Sequence, residues 1–135
     1  MNLQSPKPRI IVADDSEQTI QNVSRLLSKE FDVVGFARDG VETITAVIRL
    51  QPDVVVMEIM MRKPDGIQVV RRLKQMNSPT KAVFLSGLDD QQYVKASLEA
   101  GASGFVFKNR VDSDLCLAIR DALAGKVFVS ASDRA

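Results

Sequence analysis

The sequence predicts an α/β domain, a parallel sheet covered by helices on both sides. Three observations carry this. Short apolar runs alternate with helical patterns from one end to the other. The strand candidates are too apolar to leave a wet face, which belongs to parallel rather than antiparallel sheets. The length, 135 residues, suits one compact domain. No internal repeat, low-complexity run or second domain interrupts the pattern.

Residues 9–13 (Arg-Ile-Ile-Val-Ala) read as the first strand. Ser16 to Glu30 follows as a helix, with Ile20, Val23 and Leu27 at helical spacing. Residues 31–37 form a second strand whose apolar residues alternate more, as at a sheet edge. Val41, Ile44 and Ile48 line a helix that ends before Pro52, and residues 53–57 are the third strand. Ile67, Val70 and Leu73 mark the next helix, closed by Asn77-Ser78-Pro79. Residues 81–86 are the fourth strand. Tyr93 to Ala100 is helical and stops at Gly101, a residue suited to the left-handed end of a helix. Residues 103–107 are the fifth strand, and Asp112 to Ala124 the last helix, stopped by Gly125. The expected division is an extension over 1–8, a (βα)5 domain over 9–125 and a tail or linker start over 126–135.

Eighteen basic residues face seventeen acidic ones, a net charge of +1, which gives no overall electrostatic footprint for nucleic acid or an anionic membrane. One cysteine, Cys116, rules out an intrachain disulfide and agrees with a cytoplasmic setting. No apolar stretch approaches the ~20 residues of a membrane span. Histidine is absent, which removes Ser-His-Asp triads, Cys-His pairs and phosphohistidine chemistry. What remains is carboxylates, lysine, hydroxyls and a hard cation.

Open parallel sheets place their sites at the carboxyl ends of the strands. Here those exits carry Asp14-Asp15, Arg38-Asp39, Glu58, Ser86-Gly87 and Lys108-Asn109. Two acids suit a divalent metal, a third carboxylate suits a nucleophile, and lysine with a hydroxyl suits charge on phosphoryl oxygens. Each has a plainer reading. Asp14-Asp15-Ser16 precedes a helix and can cap it; Lys108 can be a solvated strand-end lysine; Ser86-Gly87 can be a turn; Phe105 can be core. The last helix carries Leu115, Ala118, Ile119 and Ala122, flanked by Cys116 and Leu123, which fits a broad core face or an interaction surface.

Four segments, Ile10 to Asp15, Asp53 to Glu58 with Asp65-Gly66, Val83 to Gly87 and Gly101 to Lys108, stand in this order at the strand exits. On these the chain resembles a receiver domain of bacterial-type two-component response regulators, and over Asp89 to Lys108 it is most similar to the NarL/FixJ type, which usually precedes a LuxR-type helix-turn-helix domain. The resemblance implies a flavodoxin-like fold with strand order 2-1-3-4-5 and a regulatory protein rather than an enzyme. It implies Mg2+ held around Asp14, Asp15, position 58 and Met60. It implies phosphoryl contacts from Ser86 and Lys108, and a switch aromatic at Phe105. A sensor histidine kinase would be the partner upstream, DNA would be reached only through an output domain outside this chain, and a homodimer could form through the first and last helices.

The sequence departs from that pattern at one place above all: Glu58 stands where the family has its phosphoacceptor aspartate. Arg62 stands where a proline commonly follows, with Pro64 two residues later, and Asn109 replaces a proline after Lys108, so no cis peptide is expected there. Glutamate moves the attacking oxygen out by one methylene, and a misplacement of ~1 Å can cost ~10²-fold in rate. The expectation is a Glu58 carboxylate that reaches toward Lys108 and Ser86 and imitates a phosphoryl group incompletely. Two other classes remain: an interaction module indifferent to metal and phosphoryl groups, and a flavodoxin-like enzyme, either phosphatase or flavin protein. The adjacent Asp14-Asp15 lacks the Asp-x-Asp of one such phosphatase class and would repel a flavin phosphate.

Overall fold

A computed structural model describes residues 6–88 and 90–131. Its strands are β1 (Arg9–Ala13), β2 (Asp32–Ala37), β3 (Val54–Met57), β4 (Lys81–Ser86), β5 (Gly104–Phe107) and β6 (Phe128–Val129). Its helices are α1 (Glu17–Leu27), α2 (Gly40–Leu50), α3 (Gly66–Gln75), α4 (Gln91–Ala100) and α5 (Val111–Leu123). All strand pairs are parallel, and the order across the sheet is β2-β1-β3-β4-β5-β6. β2 lies at an edge, as its alternating pattern predicts.

β3 is buried at all four positions, so its run of valines never meets water. The two faces of the sheet feed separate cores. Ile11, Val55, Phe84 and Phe105 pack with Val69, Val70 and Leu73 on one side. Ile10, Val56, Leu85 and Val106 pack with Val23, Leu27, Leu115 and Ile119 on the other. Leu115, Ala118, Ile119 and Ala122 all point into this second core, whereas Leu123 is exposed. That decides the main stripe of α5 in favour of core.

Helix ends follow local chemistry. Ser16, Asp39 and Asp65 cap α1, α2 and α3 through their side chains. The Asp65 cap is a full box, since the Gln68 side chain accepts in return from the Asp65 N–H. Gly101 ends α4 at φ 110° as expected, while α2 ends on a left-handed Gln51 that the sequence does not announce.

The sequence reading omits the sixth strand. Two residues are too few to carry a periodic signal. β6 forms because β5 offers an open edge: Phe128 N–H donates to Ser103 O and Ser130 N–H to Phe105 O. The sheet thus extends past the expected boundary at residue 125. The cis peptide recorded among the described residues is Lys63–Pro64, and Lys108–Asn109 is not one.

Candidate functional site

The site begins with the register of β1 and β3. Ala13 pairs with Met57, and the Glu58 N–H donates to Ala13 O at 3.0 Å, so Asp14 and Glu58 leave neighbouring strands at the same level. Asp14 N–H donates to Ala37 O at 3.0 Å, fixing the start of its turn. β5 ends at Phe107 and runs into a 3-10 turn over Lys108–Arg110, which brings Lys108 back over both acids. Gly66 lets the start of α3 close beneath them. A β-carbon there would stand 2.7 Å from the Glu58 carbonyl oxygen and 2.6 Å from a Phe84 ring carbon, so any larger residue would push the site apart.

Lys108 joins the two carboxylates. Its Nζ lies 3.0 Å from Asp14 Oδ2 and 3.2 Å from Glu58 Oε1. The remaining oxygens are also occupied: Ser16 N–H donates to Asp14 Oδ1 at 2.9 Å, and Ile59 N–H donates to Glu58 Oε2 at 2.7 Å. Burial pushes the Asp14 carboxyl up, and the nearby Glu58 charge adds to this. Bonds from Ser16 and Lys108 pull the other way without cancelling it. For Lys108 burial acts to lower the pKa, but the hydrogen bond and charge of Asp14, with those of Glu58, outweigh it and hold the ammonium above its ordinary value. The lysine is therefore a fixed cation between two acids.

Among the described residues, the others singled out in the sequence form no ion pair or side-chain hydrogen bond with this cluster. Asp15 is exposed, and so is Met60 at 56%. Ser86 is buried, and its Oγ accepts from Leu88 N–H at 3.2 Å. Among the described residues it makes no hydrogen bond to Glu58. Phe105 is fully buried between Phe84 and Phe107, at ring-centroid distances of 6.3 and 5.6 Å.

One network at this end was missed in the sequence. Asp114 is buried and accepts from Ser130 Oγ at 2.7 Å, Ser113 Oγ at 2.9 Å and Arg110 Nε at 3.0 Å. Ser130 Oγ in turn accepts from Phe107 N–H at 3.2 Å. Those bonds outweigh burial and lower the Asp114 pKa. Lys108 is thus preceded by a residue that β6 helps to hold. The sequence signal, an aspartate in the first turn of α5, reads equally well as a solvent-facing helix start.

Comparison with known proteins agrees with this geometry. Residues 10–120 match the response regulator receiver domain family. The chain belongs to that family. It is 31% identical over 124 residues to the oxygen regulatory protein NreC of Staphylococcus epidermidis, covering 90% of this chain and 57% of that protein. It is 33% identical over 125 residues to the transcriptional regulatory protein DegU of Brevibacillus brevis, covering 91% and 53%. The chain spans a little over half the length of these relatives. Among solved structures, the signal receiver domain of NarL from Mycobacterium tuberculosis superposes with a TM-score of 0.86 at 30% identity, covering 90% of this chain and all of that one. A LuxR-family regulator from Aurantimonas superposes equally well at 28% identity, covering 90% and 89%.

Receiver domains are regulatory modules and generally bind magnesium at the phosphorylation site. The donors here are of the right type, since carboxylates are hard oxygen ligands. In this arrangement a cation would have to displace Lys108. Lys108 already spans Asp14 and Glu58, and among the described residues no three acidic, histidine or cysteine side chains gather as a metal site. No helix among the described residues is long and apolar enough to cross a membrane.

Proposed function

We propose that this receiver domain signals without aspartyl phosphorylation, and that Glu58 supplies internally part of what a phosphoryl group would supply. The carrying observation is the 3.2 Å contact between Glu58 Oε1 and Lys108 Nζ. Lysine in this position is what the family resemblance assigns to a phosphoryl oxygen. The imitation is partial on two counts. A carboxylate carries about one negative charge against nearly two for a phosphoryl group, and Ser86 bonds to Leu88 instead. Glu58 thus engages the lysine half of the switch and leaves the hydroxyl half unengaged. In-line attack by Glu58 is disfavoured because both of its oxygens are already bonded and the carboxylate stands a methylene too far out. Magnesium binding is weakened, because the cation has to displace Lys108.

The regulated activity is transcription, as the name of the DegU relative suggests, and the resemblance to receivers of the NarL/FixJ type implies a helix-turn-helix output. The setting is cytoplasmic, and a histidine kinase would act as partner only where position 58 can react. Activation is a shift between two packings of the Ser86–Phe105 end of the sheet. A test is to compare Ser86, Phe105 and Lys108 amide shifts in the unmodified chain, in Glu58→Asp, and in Glu58→Asp treated with beryllofluoride and magnesium. The reading predicts that the unmodified chain lies between the other two at Lys108 and beside untreated Glu58→Asp at Ser86. Coincidence of the unmodified chain with untreated Glu58→Asp at all three positions would overturn it.

A further inference from the structure

Away from the acidic site, the chain's cations are unevenly spread. Between Arg62 and Lys74 there are five basic residues and a single acid, Asp65, which is spent on capping α3. Three of these cations, Lys63, Arg71 and Arg72, line one open groove of about 630 Å³ between α2 and α3. No acidic residue lines it, and among the described residues none of the three forms an ion pair. Elsewhere exposed Arg38 pairs with Glu17, exposed Arg120 with Glu30 and half-buried Arg110 with Asp114, while among the described residues exposed Arg25 and Arg49 also form no ion pair. Ile44 and Pro64 give the groove an apolar side. Gln68 adds an amide whose oxygen is already committed to Asp65 N–H at 2.9 Å, so its NH2 remains as a donor. Three cations and a donor beside an apolar wall, in a volume within the ~300–1,000 Å³ usual for small-molecule sites, form a receptor for a compact polyanion.

We propose that this groove binds a phosphorylated small molecule of nucleotide size, with at least two adjacent phosphates on Lys63, Arg71 and Arg72 and its ring against Ile44 and Pro64. Guanidinium groups pair with phosphate oxygens in two-pronged fashion, and repeated cations require repeated charge. The site also touches the receiver's signalling end. Lys63 and Pro64 belong to the loop that follows Glu58, and that loop is tied to α2 by the Gly40 N–H bond to Arg62 O at 3.2 Å. A β-carbon on Gly40 would stand 1.8 Å from Pro64 O, so the loop packs directly against the start of α2. The proposal goes beyond phosphorylation-independent signalling and does not rest on it.

The test uses ATP, GTP and pyrophosphate as probes, without magnesium, at about 150 mM salt, where exposed charges beyond ~8 Å are screened. Amide shifts and calorimetry are followed, with adenosine and sulfate as controls. The expected result is saturable binding by ATP or GTP with shifts centred on Lys63, Gln68, Arg71 and Arg72. The Arg71→Gln/Arg72→Gln pair, at two exposed positions, should weaken it at least tenfold with an unchanged melting temperature. Arg71→Lys/Arg72→Lys should fall between, having charge without the fork. Shifts scattered over all basic surfaces, equal effects of sulfate and ATP, or undiminished binding by the glutamine variant would each overturn the proposal. So would binding of an acidic peptide at this groove with none of the phosphates.

Discussion

Lys108 neutralises two acids that the fold would otherwise bury side by side. Removing it leaves Asp14 and Glu58 facing each other with no cation between them, so Lys108→Ala should cost stability. A fully buried pair broken this way costs ~3–5 kcal/mol. About a third of the Lys108 side chain meets solvent, so the screened loss should be about 1–2 kcal/mol at pH 7. The sign with pH is definite. Without the lysine, Asp14, whose carboxyl burial already pushes up, holds its proton more tightly in the folded state, so the deficit should shrink between pH 7 and pH 5 in urea denaturation. A deficit that is constant or grows toward pH 5 would mean the pair is not the cause. The site's residue types were legible at the strand exits. Glu58 reaches Lys108 as expected, but not Ser86, which turns to its own Leu88 N–H, because a serine two residues before a free amide has a local partner at hand.

At the scale of elements, β6 and its attachment to α5 are the part least visible in the sequence. Helices and strands of ordinary length announce themselves by period, so β1 to β5 and the five helices could be read with small shifts at their ends; the stripe read for α2 was wrong, since Val41 and Ile48 are exposed and Thr43, Ala46 and Val47 are buried instead. Phe128-Val129 could not, because its stability comes from a neighbour's open edge and from Ser130 bonding to Asp114, sixteen residues earlier. Ser130→Ala should leave Asp114 Oδ2 and Phe107 N–H short of a partner and cost about 1–3 kcal/mol. Faster amide exchange at Ser130 should accompany it, and unchanged exchange there would contradict the latch. Asp114 also fixes an acid limb. Its folded pKa lies below the ordinary 3.8, so its contribution is present above that value and lost as pH falls through the folded pKa. Asp114→Asn should flatten the stability curve below pH 4. Gly66→Ala, by crowding the Glu58 carbonyl and the Phe84 ring, should cost about 1–3 kcal/mol by over-packing, measured as a lower denaturant midpoint.

For the whole molecule, family membership holds over residues 10–120, and the proposed change of mechanism rests on the departure at position 58. Four segments in the right order made the receiver fold readable, because a parallel sheet forces functional residues to its carboxyl edge. The reach of Glu58 toward Lys108 was expected from the sequence; that it stops at Lys108 without bonding Ser86 needed coordinates. The most direct measurement is the mass of the protein after treatment with a small-molecule phosphodonor and magnesium, in the unmodified chain and in Glu58→Asp. The account predicts no added phosphoryl mass on the unmodified chain. It predicts phosphoryl mass at position 58 of the Glu58→Asp variant, whose shorter carboxylate is drawn back from Lys108. Phosphoryl mass mapped to Glu58 in the unmodified chain would contradict it.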